Sequence, residues 1–146
     1  MTTYVAAALR SIVETRARGL CEYCLIHKSD TYFGCQVDHI VSEKHGGPTE
    51  SDNLAYACTC CNRAKGTDLG SLSAGRVLTP FFNPRVDRWS DHFVLRDARI
   101  EWLTDVGEVT ARILEFNSPE RVFERETLRQ LGRYPSADAL AIIFAK

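Results

Sequence analysis

Two C-x-x-C pairs, Cys21-Glu-Tyr-Cys24 and Cys58-Thr-Cys60-Cys61, constrain this chain more than any other feature. All six cysteines lie between Cys21 and Cys61, and the second half of the chain has none. A two-residue spacing lets both thiolates of a turn face one ion, and two such knuckles close a tetrahedral four-sulfur site. Two other chemistries compete for the same pairs. A disulfide framework needs an oxidising compartment. A thiol-redox protein needs only one C-x-x-C, at a strand-to-helix turn. The opening MTTYVAAALRSIVETRARG holds an apolar patch broken by Arg10, too short for a secretion signal or a membrane span. A reducing cytoplasm is therefore the expected setting, with structural zinc on Cys21, Cys24, Cys58 and Cys61. Cys35 and Cys60 remain as small, buried or inert thiols.

At 146 residues the chain is expected to form one domain with its own core. Its formal charge of −1 excludes a protein that holds nucleic acid through bulk positive charge, so such binding would need a local basic patch. Thr3 to Arg18 reads as an amphipathic helix with Val5, Leu9, Ile12 and Val13 on one face and Gly19 as its stop. Phe33, Cys35 and Val37 alternate with Gly34, Gln36 and Asp38, a strand signal that ends at His39. Glu43 to Asn53 is a loop marked by Gly46-Gly47-Pro48. Leu54 to Cys58 is a second short strand, and the second knuckle turns it into a helix beginning near Asn62.

The expected class is α+β. An N-terminal helix (1–20) precedes a zinc-knuckled core (21–70), and a C-terminal hairpin with helices (71–146) packs on that core. Within the last part, HFVLRDARIEWL reads as a hairpin turning near Asp97-Ala98. Val106 to Phe116 and Pro119 to Leu131 read as helices, the second with Ser118 as N-cap, and a last apolar helix starts at Pro135-Ser136. Phe81, Phe82, Trp89 and Phe93 read as core rather than as platforms for bases. Arg121, Arg125, Arg129 and Arg133 recur every four residues with Glu120, Glu124 and Glu126 between them, which reads as a solvated, ion-paired helix.

Between the knuckles the order is Asp38-His39, then Asn53, then Asn62 directly after Cys61, with Lys65 three residues on. The set CEYC, VDHI, HGG, DNLAYAC and CNRAKG, over roughly Arg16 to Thr67, resembles the HNH endonuclease family and its ββα-metal fold with zinc knuckles. The resemblance implies a metal-dependent DNA endonuclease leaving 5′-phosphate and 3′-hydroxyl ends. His39 matches the general base and Asp38 the acidic metal ligand. Asn53 matches the asparagine that orients the histidine and braces the loop, and Asn62 the position that completes the metal site. Lys65 and Arg63 on the metal helix are suited to phosphate.

The chemistry agrees with those roles. Phosphodiester hydrolysis needs an activated water and a counter-charge for the departing oxygen. Neutral imidazole at pH 7 suits proton abstraction. An oxygen pair from Asp38 and Asn62 favours Mg²⁺ or Mn²⁺ as the catalytic ion beside the structural zinc. Asp38 and His39 are adjacent, so on an extended strand their side chains point opposite ways, and a bend is needed to bring both to one cleft. FFNPRVDRWSDHF resembles the segment after the nuclease motif in some HNH proteins, and its Arg85 and Arg88 are candidate phosphate contacts. His45 reads as a solvated loop histidine. DNA is the expected partner, with a partner protein or a second copy of the chain as additions and no membrane. The alternative function is a zinc-stabilised nucleic-acid-binding module without a working base.

Overall fold

The computed structural model describes residues 4–145, so Thr3, the expected helix start, lies outside the described residues. The architecture is α+β: small antiparallel sheets of two strands each, with helices packed around them. Helix α1 spans Ala7–Ala17 and ends as Arg18 and Gly19 turn left-handed, at φ of 54° and 72°. Its buried side is narrower than expected. Val13 and Ala17 are buried, whereas Ile12 is 52% exposed.

Strand β1 (Cys35–His39) pairs with β2 (Leu54–Cys58) in antiparallel register, Asp38 opposite Ala55 and His39 opposite Leu54. The period-2 pattern divides the two faces. Leu54 and Tyr56 pack with Val13 and Ala17 of α1, while Ala55 and Ala57 join the larger core. Helix α2 (Thr59–Lys65) starts three residues before the expected Asn62, because the knuckle itself caps it: Cys58 Sγ accepts the Cys61 N–H at 3.4 Å. That shift leaves Cys60 on the exposed side of the helix and Cys35 partly buried, so of the expected small, buried or inert thiols neither is fully buried.

Two short strands, β3 (Gly70–Leu72) and β4 (Leu78–Pro80), form a hairpin. Gly70 permits it, since a Cβ there would lie 2.1 Å from the Thr79 carbonyl oxygen. Helix α3 (Trp89–His92) leads into the hairpin β5 (Phe93–Arg96) and β6 (Arg99–Trp102), which turns at Asp97 and Ala98. Helices α4 (Asp105–Ile113), α5 (Pro119–Gln130) and α6 (Ala137–Ile143) follow. Phe81, Phe82, Trp89 and Phe93 are all buried, in the same cluster as Cys21, Cys24, Cys58 and Cys61.

The sulfurs of Cys21, Cys24, Cys58 and Cys61 lie within 4.8 Å of one another, and all four residues are buried. Cys24 Sγ and Cys58 Sγ, one from each knuckle, are 3.7 Å apart. Zn–S bonds of about 2.3 Å in a tetrahedron place sulfurs about 3.8 Å apart, so the donor set could hold a zinc ion. Hydrogen bonds from the neighbouring thiols of Cys21, Cys58 and Cys61, with the Arg121 charge behind them, hold the Cys24 thiol well below its usual range.

The C-terminal half closes around this cluster. Trp89 Nε1 donates to the Tyr23 carbonyl and the Tyr134 hydroxyl to the Cys24 carbonyl, each at 2.8 Å. Arg121, from α5, places its guanidinium 3.1 Å from Cys61 Sγ and 3.7 Å from Cys58 Sγ while donating to the Leu114 carbonyl. Arg125 donates to the Ala98 and Phe116 carbonyls. Both side chains are buried, which corrects the expectation of a solvated helix of paired charges. Only Arg129 and Arg133 behave as expected, pairing at the surface with Glu126, Asp97 and Asp30.

A zinc ion on four thiolates carries excess negative charge, and Arg121 is the buried cation that offsets it. Arg121→Met keeps the volume and removes that charge. The variant should bind zinc about 10- to 100-fold more weakly in competition with a chromogenic chelator. Unchanged zinc affinity would make Arg121 a packing residue only.

Candidate active site

The opposed surfaces of β1 and α2 bring together part of the expected site. Asn62 Nδ2 donates to Gln36 Oε1 at 2.6 Å, and Lys65 Nζ lies 2.9 Å from Asp38 Oδ2. Gln36 and Asp38 are two apart on one face of a strand, and Asn62 and Lys65 three apart on one face of a helix, so the four side chains form two rungs across one groove. Lys65 also donates to the His39 carbonyl at 2.9 Å and is only 2% exposed. Its ammonium therefore faces the carboxylate rather than solvent.

Burial pushes the Asp38 carboxyl above the usual range, and the Lys65 charge pulls it back only in part. Oδ2 faces the Lys65 ammonium at 2.9 Å in a charge-assisted contact, and a carboxylate keeps further lone pairs beyond that one partner. A hard cation suits such an oxygen. The carboxylate of Asp38 and the side-chain oxygen of Asn62 are the groups that could hold one.

His39 takes a different direction. It stays in the β1–β2 ladder opposite Leu54, with no bend before it. Its Nε2 is 2.9 Å from Thr49 Oγ1 and 3.8 Å from Glu43 Oε1, and the residue is buried. The imidazole and the Asp38 carboxylate thus leave the strand towards different partners, the first towards the loop and the second towards α2.

Asn53 braces that loop. Its Oδ1 accepts the Val41 N–H, and its Nδ2 donates to the Val41 and Pro48 carbonyls, all at 2.9 Å. Its backbone carbonyl accepts the Ile40 N–H at 2.8 Å. These contacts tie the loop to the strand end beside His39, and Asn53 acts there through the backbone rather than on the ring. Gly47 sits so close beneath the brace that a Cβ would lie 1.7 Å from the Val41 carbonyl oxygen. Arg16 reaches over from α1 to Ser51 and the Leu54 carbonyl, fixing the other side of the turn.

The remaining basic candidates divide by exposure. Arg63 is exposed on α2, its guanidinium 5.9 Å from the Phe33 ring centroid. Arg88 is exposed at the entry to α3. Arg85 is ion-paired with Glu22, both side chains 12% exposed, and lies in a cleft with Arg16 and Trp89 away from α2. Sequence reasoning passed over Gln36, Thr49 and Glu43. Gln36 was within reach of the period-2 rule, because it shares a face with Asp38. Thr49 and Glu43 sit in a loop whose path no periodicity describes.

Among the described residues no helix is long and apolar enough to cross a membrane. Comparison with known families matches residues 21–68 to the HNH endonuclease model. No match is found among curated proteins or among solved structures. The matched span runs from the first knuckle through β1, β2 and α2, the elements that carry the cysteine cluster and the groove. Residues 21–68 of this chain thus match the HNH endonuclease family, and they carry a buried four-cysteine cluster that could hold zinc.

Proposed function

We propose that the chain is a metal-dependent endonuclease that hydrolyses phosphodiester bonds in DNA, with His39 as general base and a divalent ion, Mg²⁺ or Mn²⁺, held by Asp38 and Asn62. The observation that carries this reading is the buried Asp38 carboxylate facing α2, the helix that bears Asn62, one residue before an imidazole held by Thr49. Asp38 and Asn62 would hold such an ion, which would supply charge for the departing oxygen and the phosphate. His39 supplies the base. In the tautomer whose Nε2 carries the proton towards Thr49, with Glu43 behind it, Nδ1 would keep the lone pair that takes a proton from water, and the Glu43 carboxylate would steady the imidazolium that results. Asn53 keeps the loop carrying these partners in place. Arg63 and Arg88 are the exposed cations available to the phosphate backbone.

One observation favours a second reading. The Asp38 carboxylate already faces the Lys65 ammonium, and a zinc-stabilised module that only binds nucleic acid would keep that pair intact. Supercoiled plasmid separates the two. The zinc-loaded protein should nick it with Mg²⁺ or Mn²⁺, and EDTA should stop the reaction. His39→Ala should cut about 10²- to 10⁴-fold more slowly. Binding without nicking, or nicking unchanged in His39→Ala, would remove the general-base reading.

Lys65 yields a separate expectation. Lys65→Met leaves Asp38 buried without its cation, which drives the folded-state pKa of that carboxyl further up. A raised folded pKa gives stability that is fully present below the unfolded pKa and lost as pH rises through the folded value. The variant should therefore be less stable than wild type by about 3 kcal/mol near pH 7, and the gap should shrink as pH falls towards the ordinary carboxylate range. Denaturant unfolding at a series of pH values reads this directly. A gap that stays constant would mean that Lys65 acts by packing.

A further inference from the structure

The turn that feeds β1 carries two neighbouring aromatic side chains that the fold leaves outside its core. Tyr32 is 91% exposed and Phe33 65% exposed. The rings stand edge to face, centroids 4.6 Å apart at 82°, and the Arg63 guanidinium lies over the Phe33 ring. Arg63 makes no ion pair with a carboxylate among the described residues, so its charge is open to an anion.

The platform is anchored to the elements that carry the groove. Gly34, at φ of 69°, turns the chain into β1, and its carbonyl accepts the Thr59 N–H of α2 at 3.3 Å. Arg63 directly follows Asn62.

Exposed aromatic rings also suit an apolar protein partner. A guanidinium 5.9 Å from the centroid of one of them favours a different ligand, because a nucleotide brings both a flat ring and a phosphate. Bases paired within a duplex present only their edges, whereas an unpaired base offers its face. We infer that Tyr32, Phe33 and Arg63 form a stacking platform for an unpaired base of the substrate strand, beside the groove between β1 and α2. The inference rests on the nuclease reading, and it names the substrate class: DNA with a single-stranded segment beside the cut.

The test uses fluorescence anisotropy with a labelled single-stranded 20-mer and its duplex form, on the full zinc-loaded chain without added Mg²⁺ or Mn²⁺. Wild type should bind the single strand more tightly than the duplex. Tyr32→Ala and Phe33→Ala should each weaken single-strand binding by between about 5- and 150-fold, with much less effect on the duplex. Phe33→Trp should retain wild-type affinity. Both side chains are exposed, and zinc content with far-UV circular dichroism checks that the variants fold. Equal loss on both DNAs, no loss on either, or a wild-type preference for duplex would overturn the platform. If wild type nicks plasmid while the aromatic variants bind as it does, the platform alone falls. If wild type neither binds the single strand nor nicks, platform and nuclease reading fall together.

Discussion

The contact between a buried arginine and a cluster of thiols holds this molecule together. Four sulfurs come from two knuckles separated by the whole of β1, the loop and β2, and they meet within 4.8 Å. Everything between them is thereby closed into a loop of fixed ends. The register of β1 on β2, the start of α2 at the second knuckle, and the groove between β1 and α2 all follow from that closure. A cluster of thiolates so far from water could not carry its charge unaided. Arg121 answers this from α5, and Trp89 and Tyr134 take up the knuckle carbonyls that would otherwise be left without donors.

Much of this was legible in the sequence because it follows short-range rules. The C-x-x-C spacing located the cluster, the alternation from Phe33 to His39 located β1, and the asparagine after Cys61 located the head of the groove. What escaped depended on partners from distant elements. Arg121 and Arg125 sit among glutamates at helical spacing, the pattern of a solvated face. Their burial is decided by the carbonyls of Leu114, Ala98 and Phe116, and by sulfur 60 residues earlier in the chain. The β3–β4 hairpin escaped because three-residue strands carry almost no periodicity. Lys65 was placed on the correct helix, but nothing in its neighbourhood announced that it would turn inward to Asp38.

The groove also carries a cost in stability. A carboxylate buried deeply enough for its pKa to rise is a poor choice for stability, and the Lys65 ammonium only partly relieves it. An apolar pair at those positions would pack without the penalty. That the chain keeps the charges agrees with a carboxylate maintained for an incoming cation. The same region keeps its backbone orderly. Asn53 satisfies both polar groups of Val41, so a loop with little apolar packing still holds His39 to one position.

The distance along the chain between Arg121 and its sulfurs has a consequence for biosynthesis. The ribosome releases both knuckles, β1, β2 and α2 well before it makes α5, since 60 residues separate Cys61 from Arg121. During that interval the thiols are present without their counter-cation, and the Cys24 carbonyl without the Tyr134 hydroxyl. The metal-binding half of the nascent chain therefore passes through a stage more open to water and to oxidants than the finished protein, and only completion of the C-terminal helices seals it.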